Sequence, residues 1–540
     1  MKKKKIVLMV LATVFILLTS CGPGEKKSSK GTSKNGVDAS QFPTKVENEE
    51  KAIDGATLRV AVVKDSPLNG IFNPFLYNDA YDGDIISMFV GSSLFSVDEN
   101  FEVTDNGAAT LTVDAPNKKA TIKIKDNVKW NDGKPLVAED VIFAYEVVAH
   151  KDYTGVRYND ESKKIVGIED YHSGKTSTIS GIKKIDDKTV EISFTEIGQG
   201  IYTVGNGLLG ASLPKHYLKD VTIKDMVSSP KSRDKILTTG PYYISKSVHG
   251  ESLELKANEN YFKGKPKIDR VTIQVVNSQT ISSAIKAGEY DITISMPGEL
   301  YPTIKDLGNI TILGRQELYY SYIGFKLGRW DNVKKANITD PNAKMSDIRL
   351  RQALAYGINV DEMANAFYYG LRERATSSVP RAFKKYYPEE LEGYPYNPEK
   401  AKKLLDDAGY KDVNGDGIRE DKNGKPFEVR IAAMAGGDIA EPLVQFYIQK
   451  WKEIGIKGVL TTGRLIEFNS FYDKVKADDK EIDVFFAAWG VGTNLNPIES
   501  SGRYSKFNYT RFTSDENDKL MNEVVGERSL TESGYKATAY

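Results

Sequence analysis

Apolar residues recur along this chain in two rhythms, one typical of strands and the other of helices. Residues 57–63, Thr-Leu-Arg-Val-Ala-Val-Val, form a β-branched and largely apolar run that is typical of a buried strand. Elsewhere apolar residues alternate with polar ones, which predicts strands that have one solvated face. These alternating segments are residues 120–124, 190–194, 253–255 and 271–275.

Four other segments carry apolar residues at the i, i+3, i+4, i+7 spacing, which predicts amphipathic helices. Asp347 is the predicted N-cap of the second helix. In the third, Asn397 is the predicted N-cap, Pro398 the first helical residue and Gly409 the end. Strands interleaved with helices over this length predict an α/β protein with several lobes. The four stripes are Val141, Ala144, Tyr145 and Val148; Leu350, Ala353, Leu354 and Ile358; Ala401, Leu404, Leu405 and Ala408; and Val444, Tyr447, Ile448 and Trp451.

Composition narrows the classes of function. The chain has 540 residues, with 74 Lys and Arg against 74 Asp and Glu. This balance argues against a nucleic-acid-binding protein, which would need an excess of basic residues on its binding surface. The length suggests roughly two to four domains. The 30 tyrosines suit either adaptable contact surfaces or ordinary strands, and composition does not separate these alternatives.

The N-terminus has the features of an exported lipoprotein. Four lysines at positions 2–5 precede the apolar residues 6–18, which are too few to span a bilayer, and the single cysteine, Cys21, follows. This resembles the lipobox of bacterial lipoproteins, which implies a signal peptide at 1–20, a lipid on Cys21 and attachment to the extracytoplasmic face of the cell membrane. An ordinary secretory signal with an incidental Cys is the alternative. Residues 21–50 are rich in Gly, Ser, Lys and Glu and are predicted to form a flexible tether.

Five stretches, taken together and in order, resemble one known family. They resemble the family 5 extracellular solute-binding proteins, which are the binding components of oligopeptide and dipeptide ABC importers. The stretches cover nearly the whole body. They are residues 125–141 around Trp130-Asn-Asp-Gly; 239–266 around Thr239-Gly-Pro-Tyr; 347–359; 397–410; and 483–490, ending in Trp489-Gly490.

The resemblance implies a periplasmic-binding-protein-like class II clamshell, with two lobes and a third, smaller domain. Domain I would comprise residues 51–95 and 205–322, domain II residues 96–204, and domain III residues 323–540. The family chain normally continues and returns to domain I, so this sequence is expected to lack that closing segment.

The resemblance also implies a function. The expected protein is a monomeric receptor, not an enzyme, that delivers oligopeptides to the permease subunits of an ABC importer. The alternative is a surface adhesin, or a sensor of signalling peptides, on the same scaffold.

The chain around Trp489 is the strongest candidate for a ligand site. An apolar run over 483–489 predicts a buried strand, and the glycines that follow, starting with Gly490, would let another backbone approach near Val491. This favours main-chain recognition of an extended peptide by strand addition. Trp489 is either a wall of that site or a core residue.

An amide stands where some relatives place an acid. In those relatives an Asp a few residues beyond the Trp pairs with the α-ammonium group of the peptide. Here Asn494 or Asn496 would occupy that position, and an amide cannot neutralise an ammonium group. The hypothesis is that this protein does not bind a free peptide N-terminus tightly and accepts longer peptides.

Two further segments are candidate ligand contacts through the same resemblance. One is a predicted loop on the first lobe, and the other follows the chain beside the cleft. An aromatic run at strand spacing is more often half core and half surface, so contact with ligand is one of two alternatives for each tyrosine. The candidates are Tyr77, Asn78, Asp79, Ala80 and Tyr81 on the loop, and Ser295, Tyr320 and Tyr322 beside the cleft.

No cofactor, metal or catalytic residue is expected. The stretch Asp412-Val-Asn414-Gly-Asp416-Gly resembles the start of a calcium loop, but its twelfth position is Asn423 where a bidentate Glu is needed. Glu420 could substitute in a shorter loop, and the alternative is a turn held by Asx side chains. The four histidines are scattered, and neither a nucleophile elbow nor a phosphate-binding loop is present.

Overall fold

The computed structural model describes residues 41–47, 50–51, 53–491 and 496–539. The predicted signal peptide, Cys21, most of the tether and Asn494 lie outside these residues.

The strands are β1 Thr57–Val63, β2 Ser96–Val97, β3 Val103–Thr104, β4 Ala109–Asp114, β5 Lys119–Ile124, β6 Ile182–Asp186, β7 Thr189–Ser193, β8 Tyr242–Val248, β9 Ser252–Ala257, β10 Arg270–Val276, β11 Ile292–Ile294, β12 Tyr319–Phe325, β13 Gly328–Asp331, β14 Ala336–Thr339, β15 Glu428–Ala432, β16 Lys457–Leu460 and β17 Val484–Gly490.

Sheet 1 is the five-stranded sheet with the order β11-β1-β10-β9-β8. Within it, β1 lies between β11 and β10 and runs parallel to both. Val60 and Val62 are fully buried on one face of β1, and Ala61 is fully buried on the other. Burial on both faces explains why this strand has a continuous apolar sequence, as its composition predicts.

Sheet 2 is the antiparallel sheet β4-β5-β7-β6, which the chain inserts between β1 and β8 of sheet 1. Ala120, Ile122 and Ile124 of β5 are buried while the residues between them are more exposed, so the alternation in the sequence is confirmed. These side chains pack with Val141 and Tyr145 of the helix that follows, forming one core.

Sheet 3 has the order β12-β17-β15-β16. β12 is antiparallel to β17 over its whole length, from the pair Tyr319 and Gly490 to the pair Phe325 and Val484. β15 runs parallel to β16 and β17. The boundary that the resemblance places after residue 322 falls inside β12, so strand pairing would divide the chain before Tyr319 instead.

The helices cover the sheets, and their ends agree with the predicted caps. The side chain of Asn397 accepts a hydrogen bond from Lys400 N, Pro398 is the first helical residue, and Gly409 ends the helix at a φ of 90°. Asp347 likewise accepts from Arg349 N. The α-helices are α1 Ala80–Ile85, α2 Ala138–Ala149, α3 Ile168–His172, α4 Lys215–Leu218, α5 Ser278–Lys286, α6 Tyr301–Ile304, α7 Ile348–Tyr356, α8 Val360–Tyr368, α9 Pro398–Ala408, α10 Ala440–Glu453, α11 Phe468–Lys476, α12 Ile498–Ser501, α13 Asp515–Val524 and α14 Glu532–Ala539.

The connections between the sheets determine which parts can move together. Two chain segments join sheet 2 to sheet 1, on either side of the insertion, whereas residues 295–318 join sheet 1 to sheet 3. Contacts between the sheet 2 and sheet 3 regions are therefore non-covalent. Within the described part of the chain, none of the helices has the length and apolar character that a membrane span requires.

Candidate ligand-binding cleft

The carboxyl ends of parallel strands in sheets 1 and 3 face each other, and this arrangement defines a cleft. After β1 the chain continues to Asp65, whose carboxylate accepts hydrogen bonds from Ser278 N at 2.7 Å and Ser278 Oγ at 2.8 Å. Opposite these groups lies the loop after β15, where a Cβ added to Gly437 would be 3.2 Å from Ser278 Oγ. Ligands of open α/β sheets bind outside such strand ends.

Aromatic rings from α1 and α11 meet in the cleft around one buried lysine. The rings of Tyr81 and Phe468 are 6.0 Å apart, edge to face. Lys64 Nζ lies 4.3 Å from the centre of the Phe468 ring and 5.0 Å from that of Tyr81. It donates to Ser66 Oγ at 2.5 Å and to the carbonyl oxygen of Pro67 at 3.0 Å. Burial lowers the pKa of Lys64, although neighbouring carboxylates act in the opposite direction.

The candidate segment 77–81 lies at this cleft, but it is only partly a loop. Asp79 is the N-cap of α1, so Ala80 and Tyr81 belong to a helix where the sequence predicts loop structure. Asn78 is exposed and accepts a hydrogen bond from Asn69 Nδ2 at 3.3 Å. The helix begins here because the Asp79 carboxylate accepts a hydrogen bond from Asp82 N at 2.9 Å and so caps α1.

Carboxylates crowd the sheet 1 side of the cleft. Asp79 Oδ2 is shielded from solvent and has no hydrogen-bond partner among the described residues. Asp82 is buried and accepts from Ile71 N at 2.8 Å and Gly70 N at 3.2 Å. Burial, followed by the charge of Asp79, raises the pKa of Asp82 to about 7, and burial raises the pKa of Asp84 to about 6.

Arg157 joins three parts of the molecule beside the cleft. It comes from the sheet 2 region, and its guanidinium lies 4.7 Å from the centre of the Tyr77 ring on the sheet 1 side. Its Nη1 donates to Glu499 Oε1 at 2.7 Å, and Phe507 lies 5.8 Å away on the sheet 3 side. The ion pair and the stacked rings hold the three regions around one end of the cleft.

The other candidates lie on β12 and β17. The rings of Tyr320 and Tyr322 are 5.8 Å apart on the same face of β12, and Tyr320 pairs with Trp489. Trp489 is half-buried, with Phe507 at 4.8 Å and Tyr509 at 5.7 Å between ring centres, so it is core on one side and exposed on the other. Burial raises the pKa of Tyr320 to about 12.

One edge of β17 extends beyond its neighbour. β15 pairs with β17 through Ile431 with Val484 and Ala432 with Phe485, whereas β12 pairs with all seven residues of β17. Ala488 and Gly490 are exposed at the end that extends past β15. Val491 N, by contrast, donates to Leu318 O at 2.9 Å, on the β12 side.

One candidate, Ser295, is not brought into this arrangement. Ser295 follows β11 with exposed, left-handed backbone at a φ of 59°. Asn494 lies outside the described residues, while Asn496 Oδ1 accepts from Ile498 N at 2.8 Å at the start of α12.

Sequence reasoning missed several residues that line the cleft. Phe468 and Tyr472 stand at i and i+4 on α11, and this spacing could have indicated that they share one helix face. Nothing local distinguishes Lys64 or Arg157 from other basic residues, since the partner Glu499 is 342 positions from Arg157.

The described residues contain no group of three or more His, Cys, Asp or Glu side chains arranged to hold a metal ion. The Asp412 stretch folds as an Asx-stabilised turn. Asp412 accepts from Gly415 N at 2.7 Å and Gly417 N at 2.9 Å, and Glu420 accepts from Val413 N at 2.9 Å and Asn414 Nδ2 at 2.8 Å. The carboxylates therefore bond to the loop itself.

Two α/β bodies that face each other across a cleft, with a third region inserted in one of them, define a clamshell binding protein. The profile of the bacterial extracellular solute-binding proteins, family 5 middle, matches residues 102–509. The chain belongs to this family, and the predicted class II clamshell fold is confirmed.

Relatives along the whole length agree with this assignment. The chain is 35% identical to the oligopeptide-binding protein OppA of Lactococcus lactis subsp. lactis, over 99% of this chain and 90% of that protein. It is 27% identical to the oligopeptide-binding protein AppA of Bacillus subtilis, over 97% of this chain and 88% of that protein. The structure of lactococcal OppA complexed with an endogenous peptide in the closed conformation has a TM-score of 0.86, with 34% identity, over 90% of this chain and 91% of that one.

Proposed function

We propose that this protein is an extracytoplasmic receptor that binds oligopeptides and delivers them to an ABC importer. The observation that supports this most directly is the edge of β17 that extends past β15 into the cleft. An extended peptide can pair with such an edge through main-chain groups that every peptide has, which suits a receptor for many sequences. The OppA and AppA relatives support the same substrate class.

The cleft residues divide between main-chain and side-chain roles in this proposal. Ala488 and Gly490 offer backbone groups along the edge of β17, and Val491, bonded through its N–H to Leu318 O, fixes the end of that edge. The rings of Tyr320, Tyr322 and Trp489 supply a wall that tolerates different side chains. On the opposite side, Tyr77, Asn78, Asp79, Ala80 and Tyr81 face the ligand from the sheet 1 region. Ser295 and Asn494 are candidate contacts on the strength of the sequence resemblance alone.

The proposed domain division follows the sheets. Domain I contains sheet 1, domain II contains sheet 2, and domain III contains sheet 3 from Tyr319 onward. Open and closed forms would differ by a few kcal/mol, and a ligand that contacts both lobes would select the closed form. The closed form would then be the one that the permease recognises.

Attachment to the membrane rests on Cys21 and the lipobox-like sequence before it. The tether would meet the folded body beside the connection between sheets 1 and 3. There, Gly314 N donates to Pro43 O at 3.0 Å, and the rings of Phe42 and Tyr301 are 5.8 Å apart. A tethered receptor stays at high effective concentration near its permease.

Mass spectrometry of the purified protein under native conditions tests the proposal. The expected result is a set of co-purified peptides of mixed sequence, which are released on denaturation. A thermal-shift screen with a peptide library should then show stabilisation by binders. Absence of any peptide in both experiments would favour an adhesin, and a metal, haem or sugar in the cleft would replace the proposal with another solute.

A further inference from the structure

A short hairpin outside the cleft carries an aromatic residue in a backbone conformation that such residues rarely adopt. The hairpin consists of β2 and β3, with Val97 paired to Val103. At its tip Phe101 has a φ of 65°, in the left-handed region. For a bulky residue this conformation is an outlier that persists only where the surroundings hold it.

Local hydrogen bonds hold that tip. Asp98 Oδ1 accepts from Asn100 N at 2.8 Å and from Glu102 N at 3.0 Å. The main chain adds a bond from Phe101 N to Asp98 O at 3.1 Å. The base of the hairpin is equally fixed, because Phe95 and Ala108 on either side belong to the sheet 2 core. Phe101 is therefore held in place by hydrogen bonds at the tip of the hairpin and by the sheet 2 core at its base.

The ring of Phe101 packs against the opposite body. Its centre lies 4.7 Å from that of Phe383, which is 3% exposed, and the planes are tilted by 56°. Phe383 belongs to a cluster with Val379, Tyr386 and Ile498, against which Phe101 packs as a partly buried member. Dispersion and apolar burial thus join the hairpin to the sheet 3 region.

A charged pair accompanies the apolar contact. Lys385 Nζ is 3.7 Å from Glu102 Oε1, and both side chains are more than one-third exposed. We use the term rim contact for Phe101 and Glu102 on one side and Phe383 and Lys385 on the other. An exposed pair of this kind contributes little by itself, but it responds predictably to charge reversal.

The segment that holds Phe383 is fixed to sheet 3. Residues 369–397 connect α8 to α9, and the rings of Tyr394 and Tyr356, on α7, are 5.3 Å apart. Asn397 N also donates to Tyr356 O at 2.9 Å. Since no covalent connection joins the sheet 2 and sheet 3 regions directly, the rim contact must separate when the two bodies move apart.

We infer that Phe101 is a positioning residue for closure: its insertion against Phe383 stabilises the closed form and slows ligand release without touching the ligand. The inference rests on the proposed function, because the relevant motion is the opening and closing of the cleft. Phe101 lies outside the cleft and does not touch the ligand. The inference therefore predicts that its loss changes the dissociation rate of the peptide while leaving the association rate nearly unchanged.

Stopped-flow fluorescence with a labelled hexapeptide of alternating Ala and Leu tests this in the full chain. Phe101→Ala is expected to increase the dissociation rate about 5- to 20-fold, with the association rate within about twofold of wild type. Val97→Ala, which truncates an exposed side chain of the same hairpin, is the matched control and should leave both rates unchanged. An unchanged dissociation rate in well-folded Phe101→Ala would overturn the inference.

Charge reversal provides a second variant that does not disturb apolar packing. Glu102→Lys would place like charges at the rim and should increase the dissociation rate about 2- to 3-fold at low salt, with the effect lost at high salt. Adding Lys385→Glu should restore the wild-type rate. A merely structural role for the hairpin would not produce this rescue, so its absence contradicts the inference.

Small-angle X-ray scattering separates failure of the inference from failure of the proposed function. If no peptide binds wild type, the proposed function fails, yet the two forms of the peptide-free protein can still be compared. Phe101→Ala should then shift the scattering toward a larger radius of gyration. If wild type binds peptide and Phe101→Ala matches it in radius and in both rates, the rim contact has no role in closure.

Discussion

The two walls of the cleft differ in chemistry. The wall from the sheet 1 region carries four carboxylates, Asp65, Asp79, Asp82 and Asp84, and the buried lysine Lys64. The wall from the sheet 3 region is aromatic and ends in an exposed strand edge. Its rings are Tyr320, Tyr322, Phe468, Tyr472, Trp489 and Phe507.

This difference indicates a division of labour in recognition. An aromatic surface and main-chain pairing both tolerate many different peptide side chains. The first depends on the apolar area in contact, and the second uses groups that every peptide has. Carboxylates discriminate, since an uncompensated charge favours a cation and disfavours an anion. The aromatic wall should therefore set affinity, and the charged wall should set preference and pH dependence.

The largest expected effect comes from blocking the edge of β17. A Cβ at Gly490 would lie 3.0 Å from the Tyr319 ring, and the larger side chain of Gly490→Val would displace that ring or cover the edge. Peptide affinity should fall at least about 100-fold, which corresponds to roughly 2.7 kcal/mol. Isothermal titration with a peptide that binds wild type measures this loss.

A glycine in open space provides the matched control for this substitution. A Cβ at Gly308 would meet no atom within 4 Å, so Gly308→Val should change affinity less than about twofold. If Gly490→Val bound peptide as tightly as Gly308→Val, recognition along the edge of β17 would have to be abandoned.

The parts of the fold that the sequence predicts are those set by local chemistry. The cap of α9 by Asn397 and its end at Gly409 need only neighbouring residues, and the apolar run of β17 needs only burial. Helix α1 was missed because it has six residues, with Gly83 inside it, and begins through the capping bond of Asp79.

The candidate site was predictable only where a motif marks it. Trp489 and Gly490 stand at the end of a recognisable strand, so the pattern alone made them candidates for ligand contact. Arg157 and Lys64 carry no such mark, because their surroundings come from residues far away along the chain. The contact between Phe101 and Phe383 is likewise a product of tertiary packing.

The charged wall should make stability depend on pH. Because the pKa of Asp82 is about 7 when folded, against roughly 3.9 in an unfolded chain, the folded protein retains a proton that the unfolded chain has released. The contribution of Asp82 to the free energy of unfolding should therefore fall as pH rises from about 4 to about 7. Asp82→Asn should match wild type near pH 4 and be more stable at pH 8 by about 2–4 kcal/mol.

Urea unfolding at several pH values checks this sign. Asp220→Asn, at an exposed position, is the control and should follow the wild-type curve at each pH. If the free energies of unfolding of Asp82→Asn and wild type differed by the same amount at pH 4 and pH 8, burial would not raise the pKa of the Asp82 carboxyl.

The aromatic wall should lose affinity when a ring is removed. Tyr472 packs against Phe468 at 5.1 Å and Tyr509 at 6.1 Å, so Tyr472→Ala should weaken peptide binding about 10-fold, roughly 1.4 kcal/mol. Tyr472→Phe keeps the ring and removes only the bond to Ala488 O at 3.4 Å, so affinity should stay within about threefold. Equal losses in both variants would assign the effect to the hydroxyl group.

The smallest expected effect concerns charge preference at Asp79. Asp79 Oδ2, which has no hydrogen-bond partner among the described residues, can accept a hydrogen bond from a cationic group. Asp79→Asn should therefore weaken binding of a lysine-containing peptide about 3- to 5-fold relative to its alanine analogue, and Asp220→Asn should not. Asparagine retains the cap of α1, so the fold should persist. On the hypothesis that Asn494 or Asn496 takes the place of an acid, N-acetylation of the same peptides should weaken their binding to wild type less than about threefold. A large loss on acetylation that disappears in Asp79→Asn would instead place the peptide N-terminus at Asp79.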